Sequence, residues 1–311
     1  MARTAALAFV FLLVAGCTAG PGPTSIPSTA PGSESPTPTA ATPTPGTPAP
    51  VSPTPDAGLY LRAWLSQALP PPATFGWLPM LTISEGRVID GNVAVPAIYP
   101  GPLLILPFER GITAAGQSAL EEEARRLGLL GDVTDFTGGQ VAPGSQLGHI
   151  ELLIDGVRRQ LTGDLNIPVQ CDPANRCHAD PATPGAFAAF WQELGNLDGL
   201  IPDELGPTTT HEPEIVAVLA VLPQPPDPDG LRPQVVAWPL ETDFADFGEP
   251  FGAEPDVRCA TVAGEDLKSL LPALNAANQL TVFIDSQEAA RSLVARAVVP
   301  GEPSPCGDAG G

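Results

Sequence analysis

Cysteine thiols are the side chains of this chain whose chemistry is most readily assigned. There are five among 311 residues: Cys17 near the N-terminus and, far downstream, Cys171, Cys177, Cys259 and Cys306. A thiol can bind a metal, pair with a second thiol or carry a covalent lipid, and the compartment selects among these. The first seventeen residues of the chain indicate the compartment.

The N-terminal segment has the pattern of an export signal. Arg3 supplies one positive charge, and residues 5–15 form an apolar core of secretory length. This core is shorter than the ~20 apolar residues that span a bilayer. The run VAGC at 14–17 resembles the lipobox of bacterial lipoproteins. The resemblance implies that residues 1–16 are a cleaved signal peptide and that Cys17 is lipidated; an ordinary signal peptide with a chance cysteine is the alternative.

Lipidation of Cys17 predicts an address. One acyl chain anchors a protein only marginally, so stable attachment requires the several chains, palmitate among them, that lipoproteins carry. The protein is then expected on the extracytoplasmic face of the cell membrane, with the lipid bilayer as a partner through Cys17.

The remaining four cysteines predict disulfides, because an even number in an exported chain is typical of paired thiols. Four cysteines allow three pairings, and we favour Cys171–Cys177 and Cys259–Cys306. The first closes the short loop CDPANRC, whose proline and asparagine favour a turn. The second ties the C-terminal tail to the strand before the last helix.

A metal site is the rival interpretation of the first pair. Cys171, Cys177, His178 and Asp180 offer suitable ligands, but their spacing is not the short spacing of zinc sites. Thiols in an oxidising compartment pair with each other more often than they bind metal. Neither a metal nor another cofactor is predicted.

Candidate catalytic residues are sparse. No G-x-S-x-G elbow, H-E-x-x-H motif, P-loop or EF-hand loop occurs, and His149, His178 and His211 are isolated in sequence. Three aspartates each follow an isoleucine at a predicted strand end, where turn chemistry competes with a carboxylate cluster; these are Asp90, Asp155 and Asp285. No catalytic residue is predicted.

The four tryptophans admit two interpretations. Trp64, Trp77, Trp191 and Trp238 could include a platform on which a sugar stacks. Each lies in an apolar context, however, and only 5% of the chain is aromatic. Core packing is therefore the favoured interpretation for all four.

Residues 17–56 are predicted to form a disordered tether. Positions 18–56 hold 12 Pro, 9 Thr and 5 Ser, with Ile26 and Val51 as the only bulky aliphatic residues. Such a segment buries too little apolar surface to offset its chain entropy, and its Thr-Pro repeats favour extended polyproline II. We interpret it as a spacer that lifts the folded part off the bilayer; a passive linker is compatible with the same composition.

The acidity of the chain limits its partners. Asp and Glu number 35 against 14 Lys and Arg, which gives a formal net charge of −21. This charge argues against nucleic acid as a partner and against charge-driven binding to anionic headgroups. It permits a cation or a basic partner, although diffuse acidity is ordinarily only a soluble surface.

The pattern of elements predicts the fold class of residues 57–311. Hairpins are expected at 81–89 and 150–161, and helices over 113–127, 184–197 and 267–274. Hairpins interspersed with single helices predict an α+β fold, in which antiparallel sheets carry about three helices. One extracytoplasmic domain over 57–311, or two lobes at 57–205 and 206–311, fit this pattern equally well.

Several short motifs, taken together, resemble a protein family. They are the predicted strand at Leu59, LPMLTISEGRVIDG at 78–91, IYPGPL at 98–103, RLGLLG at 126–131, WPL at 238–240, Arg258-Cys259, and RAVVPGEPSPC at 296–306. As a set they resemble uncharacterised exported lipoproteins of actinobacteria and related GC-rich bacteria, over most of residues 57–306. Each motif is a turn, a helix end or a disulfide site, so the resemblance implies no activity and carries over no catalytic residue.

These observations favour a non-enzymatic, membrane-tethered lipoprotein that binds or contacts a component of the cell envelope. An exported hydrolase is the first alternative, with a site in which His149 or His211 meets serine and aspartate residues distant in sequence. A solute receptor is the second. It usually needs two parallel α/β lobes around a cleft, and the hairpins argue against that arrangement.

Overall fold

The computed structural model of the chain describes residues 60–66, 74–94, 99–139, 141, 145–173, 176–223, 230–252 and 254–307. The predicted signal peptide, Cys17 and the tether lie outside these residues. Within the described ranges, no helix has the length and apolar character needed to cross a membrane.

Seventeen strands and four helices make up the described part of the chain. The strands are β1 (Tyr60–Ser66), β2 (Leu81–Ser84), β3 (Arg87–Asp90), β4 (Leu104–Ile105), β5 (Phe108–Gly111), β6 (Asp135–Phe136), β7 (Leu147–Ile154), β8 (Val157–Asp164), β9 (Gln170–Cys171), β10 (Cys177–His178), β11 (Thr209–Thr210), β12 (Ile215–Val221), β13 (Val235–Ala237), β14 (Glu249–Phe251), β15 (Glu254–Ala263), β16 (Val282–Ile284) and β17 (Ala290–Ala297). The helices are α1 (Ala114–Arg126), α2 (Pro184–Leu194), α3 (Leu197–Leu200) and α4 (Gly264–Ala276), and a 3-10 turn covers Pro202–Glu204.

Both predicted hairpins are confirmed. Glu85 and Gly86 turn β2 into β3 with φ angles of 50° and 71°, and Asp155 and Gly156 turn β7 into β8 with φ angles of 52° and 77°. Positive φ at both central residues defines the turn whose twist matches that of the flanking strands. The turn residues therefore fix the register of each hairpin.

Threonine side chains cap the first two helices. The Thr113 hydroxyl accepts the Gly116 N–H at 3.1 Å at the start of α1, and Thr183 caps α2 in the same way. On α1 we expected ion pairs four residues apart, Glu121 with Arg125 and Glu122 with Arg126. Arg126 instead pairs with Glu123, because its guanidinium turns inward to donate to the Cys177 carbonyl at 3.0 Å.

The first sheet has eight strands in the order β11-β5-β3-β2-β1-β7-β8-β6, antiparallel except for the β6–β8 pair. Alternation along β1 sends Leu61 and Ala63 to one face, where they share a buried core with Leu120 of α1 and with Phe187 and Phe190 of α2. The helices therefore cover one face of this sheet.

The second sheet has seven strands, with β13-β16-β17-β12-β15-β14 in order and β4 added beside β17. Val216 and Val218 of β12 share a second core with Leu270 and Leu274 of α4. Both sheets are mostly antiparallel and each carries helices on one face. The predicted α+β class is confirmed, with α3 as a single turn beyond the three predicted helices.

The two sheets exchange strands. β4 precedes most of the first sheet in sequence but pairs with β17 in the second, Leu104 lying opposite Ala295. β11 lies beyond residue 205 but pairs with β5 at the edge of the first sheet. All the described residues fall in one compact unit.

The faces without helices carry buried polar groups and a small third core. Arg62, Thr82, Ser84 and Glu151 lie on the second face of the first sheet and are all buried, so that face is covered. The segment before β2 lies between the sheets: Phe75 joins Ala217 and Leu219 of β12 in the third core.

Candidate functional site

Three of the four tryptophans line one cleft of about 920 Å³. Trp64 comes from β1, Trp77 from the segment before β2 and Trp191 from α2. Ile105 of β4 and Phe251 of β14 add residues from the second sheet. The predicted core packing is right for Trp238, which is buried against Phe244, but wrong for Trp77, which is 37% exposed.

Alternation along β1 determines which of its side chains reach the cleft. Leu61 and Ala63 point to the helices, so Arg62 and Trp64 point the other way. The register of β7 places Glu151 opposite Arg62 and His149 opposite Trp64. A charged pair and an aromatic pair therefore stand side by side on this face.

The Arg62 charge is neutralised within the sheet. The Arg62 guanidinium lies 3.0 Å from Glu151, and Arg158 of β8 donates to the other carboxylate oxygen at 2.5 Å. Arg62 is 7% exposed, and its Nε is enclosed without a hydrogen-bond partner. Burial also raises the pKa of the neighbouring Tyr60 hydroxyl to about 12, so that group is neutral.

Arg296 of β17 is a second buried guanidinium beside the cleft. It donates to the Trp77 carbonyl at 2.9 Å and to Glu302 at 2.5 Å. Arg296 is 7% exposed and Glu302 is also largely buried. This network fixes the backbone at Trp77 and leaves no unpaired charge on Arg296.

Trp64 is held by its two neighbours. The Arg62 Cζ lies 4.4 Å from the indole centroid, a cation–π distance, and the His149 ring stacks on the indole at 5.2 Å. Burial lowers the pKa of His149, so the imidazole is neutral near pH 7. Its Nδ1 lies 3.1 Å from the Thr162 hydroxyl.

Trp191 is fixed by helix and sheet together. It stacks on Phe187, one turn earlier on α2, with ring centroids 6.3 Å apart. A Cβ built on Gly148 of β7 would come within 2.8 Å of the indole, so the ring lies directly on the strand. Only glycine permits this close approach.

A second depression of about 540 Å³ continues the cleft. Both are lined by Leu65, Met80, Asn92 and Trp191, so they adjoin each other. We call the two together the aromatic groove. The second part adds Gln146, which precedes β7, and Gln192, which lies on the surface of α2.

The four downstream cysteines form two disulfides. Cys171 bonds to Cys177 and Cys259 to Cys306, the pairing that the sequence favours. The bonded thiols of Cys171 and Cys177 cannot ligate a metal, and no cluster of His, Cys, Asp or Glu suited to a metal occurs in the described ranges.

A buried glutamate accepts a hydrogen bond from the backbone of the Cys171–Cys177 disulfide. The Cys177 N–H donates to Oε1 of Glu193 at 2.6 Å, while Oε2 of Glu193 is enclosed without a hydrogen-bond partner. Burial raises the pKa of Glu193 to about 7, and the neighbouring Glu123 carboxyl acts in the same direction.

The histidines do not assemble a hydrolytic site from the described residues. His211 lies 2.6 Å from a carboxylate oxygen of Glu109. Among the described residues, no serine forms a hydrogen bond with the His211 ring. His149 contacts Trp64 and Thr162, and His178 is exposed. Neither His178 nor His211 lines the aromatic groove.

The three strand-end aspartates serve turns. Asp90 accepts the Asn92 N–H, and Asp155 forms the β7–β8 turn. Burial opposes the charge of Asp285, but three backbone donors outweigh burial and lower its pKa; they belong to Phe244, Ala289 and Gln287.

Sequence reasoning missed the buried arginines and the groove. A strand with alternating polar residues ordinarily shows its polar face to water, so Arg62 and Glu151 give no sign of burial. Asn92 and Trp77 lie in loops whose positions depend on the packing of both sheets. The alternation in β1 is the one signal that places Arg62 and Trp64 on a common face.

Comparisons of the chain with known protein families, with curated protein sequences and with solved structures found no match. The features of the chain that bear on function are therefore the geometry of the aromatic groove and the N-terminal pattern.

Proposed function

We propose that this protein is a lipid-anchored, extracytoplasmic binding module that belongs with the exported lipoproteins it resembles. Cys17 carries the lipid, residues 17–56 act as the spacer, and the folded domain holds a ligand from the cell envelope in its aromatic groove. The single observation that carries the binding role is the aromatic groove itself.

Three features of the groove support binding. Each of its two parts, of about 920 and 540 Å³, is concave and of the size that small ligands occupy, roughly 300–1,000 Å³. The Trp64 and Trp191 rings and the backbone of Trp77 are held in place before any ligand arrives, which reduces the ordering cost of binding. Their contacts are with Arg62, Phe187 and Arg296, respectively. The charges beside it are already paired, so it offers no activated acid, base or nucleophile from the described residues.

The binding role is tested by recovering the ligand. The full chain, purified in detergent from its native host, should yield a co-purifying compound by mass spectrometry. Trp77→Ala should lose that compound, because Trp77 is an exposed side chain of the groove. Phe108→Ala is the matched control, an aromatic residue 41% exposed on β5 and outside the groove. Equal recovery from both variants, or none from the wild type, contradicts the proposal; a compound released as cleaved products favours the hydrolase alternative.

The anchor is tested separately. Cys17→Ala should release the protein from membranes or leave its precursor uncleaved, because the thiol is the proposed lipid acceptor. Fractionation and intact mass measure both effects. An unchanged mass and unchanged membrane attachment would show that Cys17 is not lipidated.

A further inference from the structure

The charges along the aromatic groove are satisfied internally. Arg62 pairs with Glu151 and Arg296 with Glu302, and both arginines are more than nine-tenths buried. Displacing Glu302 by an anionic ligand would leave a buried acid without its ionic partner, at a cost of several kcal/mol. Displacing Glu151 would leave that buried acid with Arg158 alone. The electrostatics therefore favour an uncharged ligand.

The lining supplies flat apolar surfaces and uncharged polar groups. The indoles of Trp77 and Trp191 border the groove, and the side chains of Asn92, Gln146 and Gln192 are exposed along it. The negative face of an indole attracts the polarised C–H groups on a sugar ring. Each amide can both donate to and accept from a hydroxyl. The indole faces and the amide groups are together complementary to a polyhydroxylated ring.

The strands beside the groove are poorly suited to an extended peptide, which adds to a sheet through unpaired main chain. β17 pairs with β12 on one side and with β16 and β4 on the other. β1 pairs with β7 along its whole length and with β2 over Leu61–Ala63. Among the described residues beside the groove, open sides are left on Trp64–Ser66, on the two-residue β4 and on the three-residue β14, each shorter than an ordinary strand of about five residues.

An acyl chain fits the lining no better. Asn92, Gln146 and Gln192 would lose water against hydrocarbon without gaining partners, which costs about 1–3 kcal/mol for each buried group. The groove also continues past Trp191 into its second part, so its two parts have room for more than one sugar ring.

On this basis we infer that the aromatic groove binds an uncharged oligosaccharide, with Trp77 as the stacking surface, Trp191 as an apolar wall, and Asn92 and Gln192 as hydroxyl ligands. This inference rests on the proposed binding function and names its ligand class. Arg62 and Arg296 are positioning residues: they hold Trp64 and Trp77 and do not bind the sugar.

The test uses the full chain in detergent and isothermal titration with three uncharged probes: the β-1,4-glucose, β-1,4-N-acetylglucosamine and α-1,4-glucose hexasaccharides. At least one should bind. Trp77→Ala should weaken that binding about tenfold or more, as for a central aromatic contact. Asn92→Ala should weaken it to a lesser degree, and Phe108→Ala should leave it unchanged. Circular dichroism and thermal melts establish that each variant is folded.

The outcomes separate the inference from the proposed function. No binding of any hexasaccharide, while a charged, lipidic or peptidic compound co-purifies in a Trp77-dependent way, overturns the oligosaccharide and keeps the binding module. Hexasaccharide binding that Trp77→Ala leaves intact also overturns the inference, because the sugar then lies elsewhere. If no hexasaccharide binds and no compound co-purifies with the wild type, both the oligosaccharide inference and the proposed binding function are overturned.

Discussion

Glu193 is a buried acid whose protonation state affects stability near neutral pH. It is 0% exposed on α2, and burial raises its pKa from 4.5 to about 7. In the unfolded chain the carboxyl ionises near its ordinary pKa. Between these two values the folded state therefore binds more protons than the unfolded state, so the Glu193 contribution to stability falls as pH rises from 4.5 to 7.

Glu193→Gln should remove this pH dependence, because the amide oxygen can still accept the Cys177 N–H and the side chain no longer ionises. We expect the variant to match the wild type at about pH 5 and to be more stable at about pH 8, in urea unfolding at both values. Glu122→Gln is the control, an exposed acid on α1. A wild type and Glu193→Gln with parallel profiles would contradict the pKa assignment.

At the scale of elements, the packing of α2 on β8 depends on one glycine. A Cβ built on Gly163 would lie 2.2 Å from the Phe187 ring, which is fully buried. Gly163→Ala should destabilise the domain by about 1–3 kcal/mol or more, since overpacking forces the ring or the strand to move. Gly111→Ala is the control: a Cβ there meets nothing within 4 Å. Chemical denaturation measures both, and equal free energies of unfolding would disprove the contact.

Elements with strong local chemistry could be predicted from the sequence, and elements fixed by distant packing could not. The turn pairs Glu85-Gly86 and Asp155-Gly156 define hairpins by themselves, and Thr113 defines a helix start. The two-residue strands β4, β6 and β11 have no periodicity and form only because partners distant in sequence reach them. The same distinction applies to the groove. The residues next to Trp77 in sequence are apolar, as they would be for a buried tryptophan, so the sequence does not show that Trp77 is exposed. Its exposure depends on how the two sheets pack.

At the scale of the whole molecule, the two disulfides constrain very different lengths of chain. Cys171 and Cys177 are 6 residues apart, whereas Cys259 and Cys306 are 47 apart. Chain entropy predicts that replacing the longer link by two serines costs about 4 kcal/mol and the shorter about 2 kcal/mol. Urea unfolding of the two double variants measures this order. The reverse order would show that native packing around Cys177 outweighs loop length.

The exchange of β4 and β11 also dictates when the molecule can become functional. A chain is made from its N-terminus, yet β4 finds its partner only when Ala295 and Arg296 have been added, about 190 residues later. Arg296 is the same residue that holds Trp77. The groove is thus among the last parts to be completed, and a chain truncated before β17 would contain every tryptophan and still lack a complete groove.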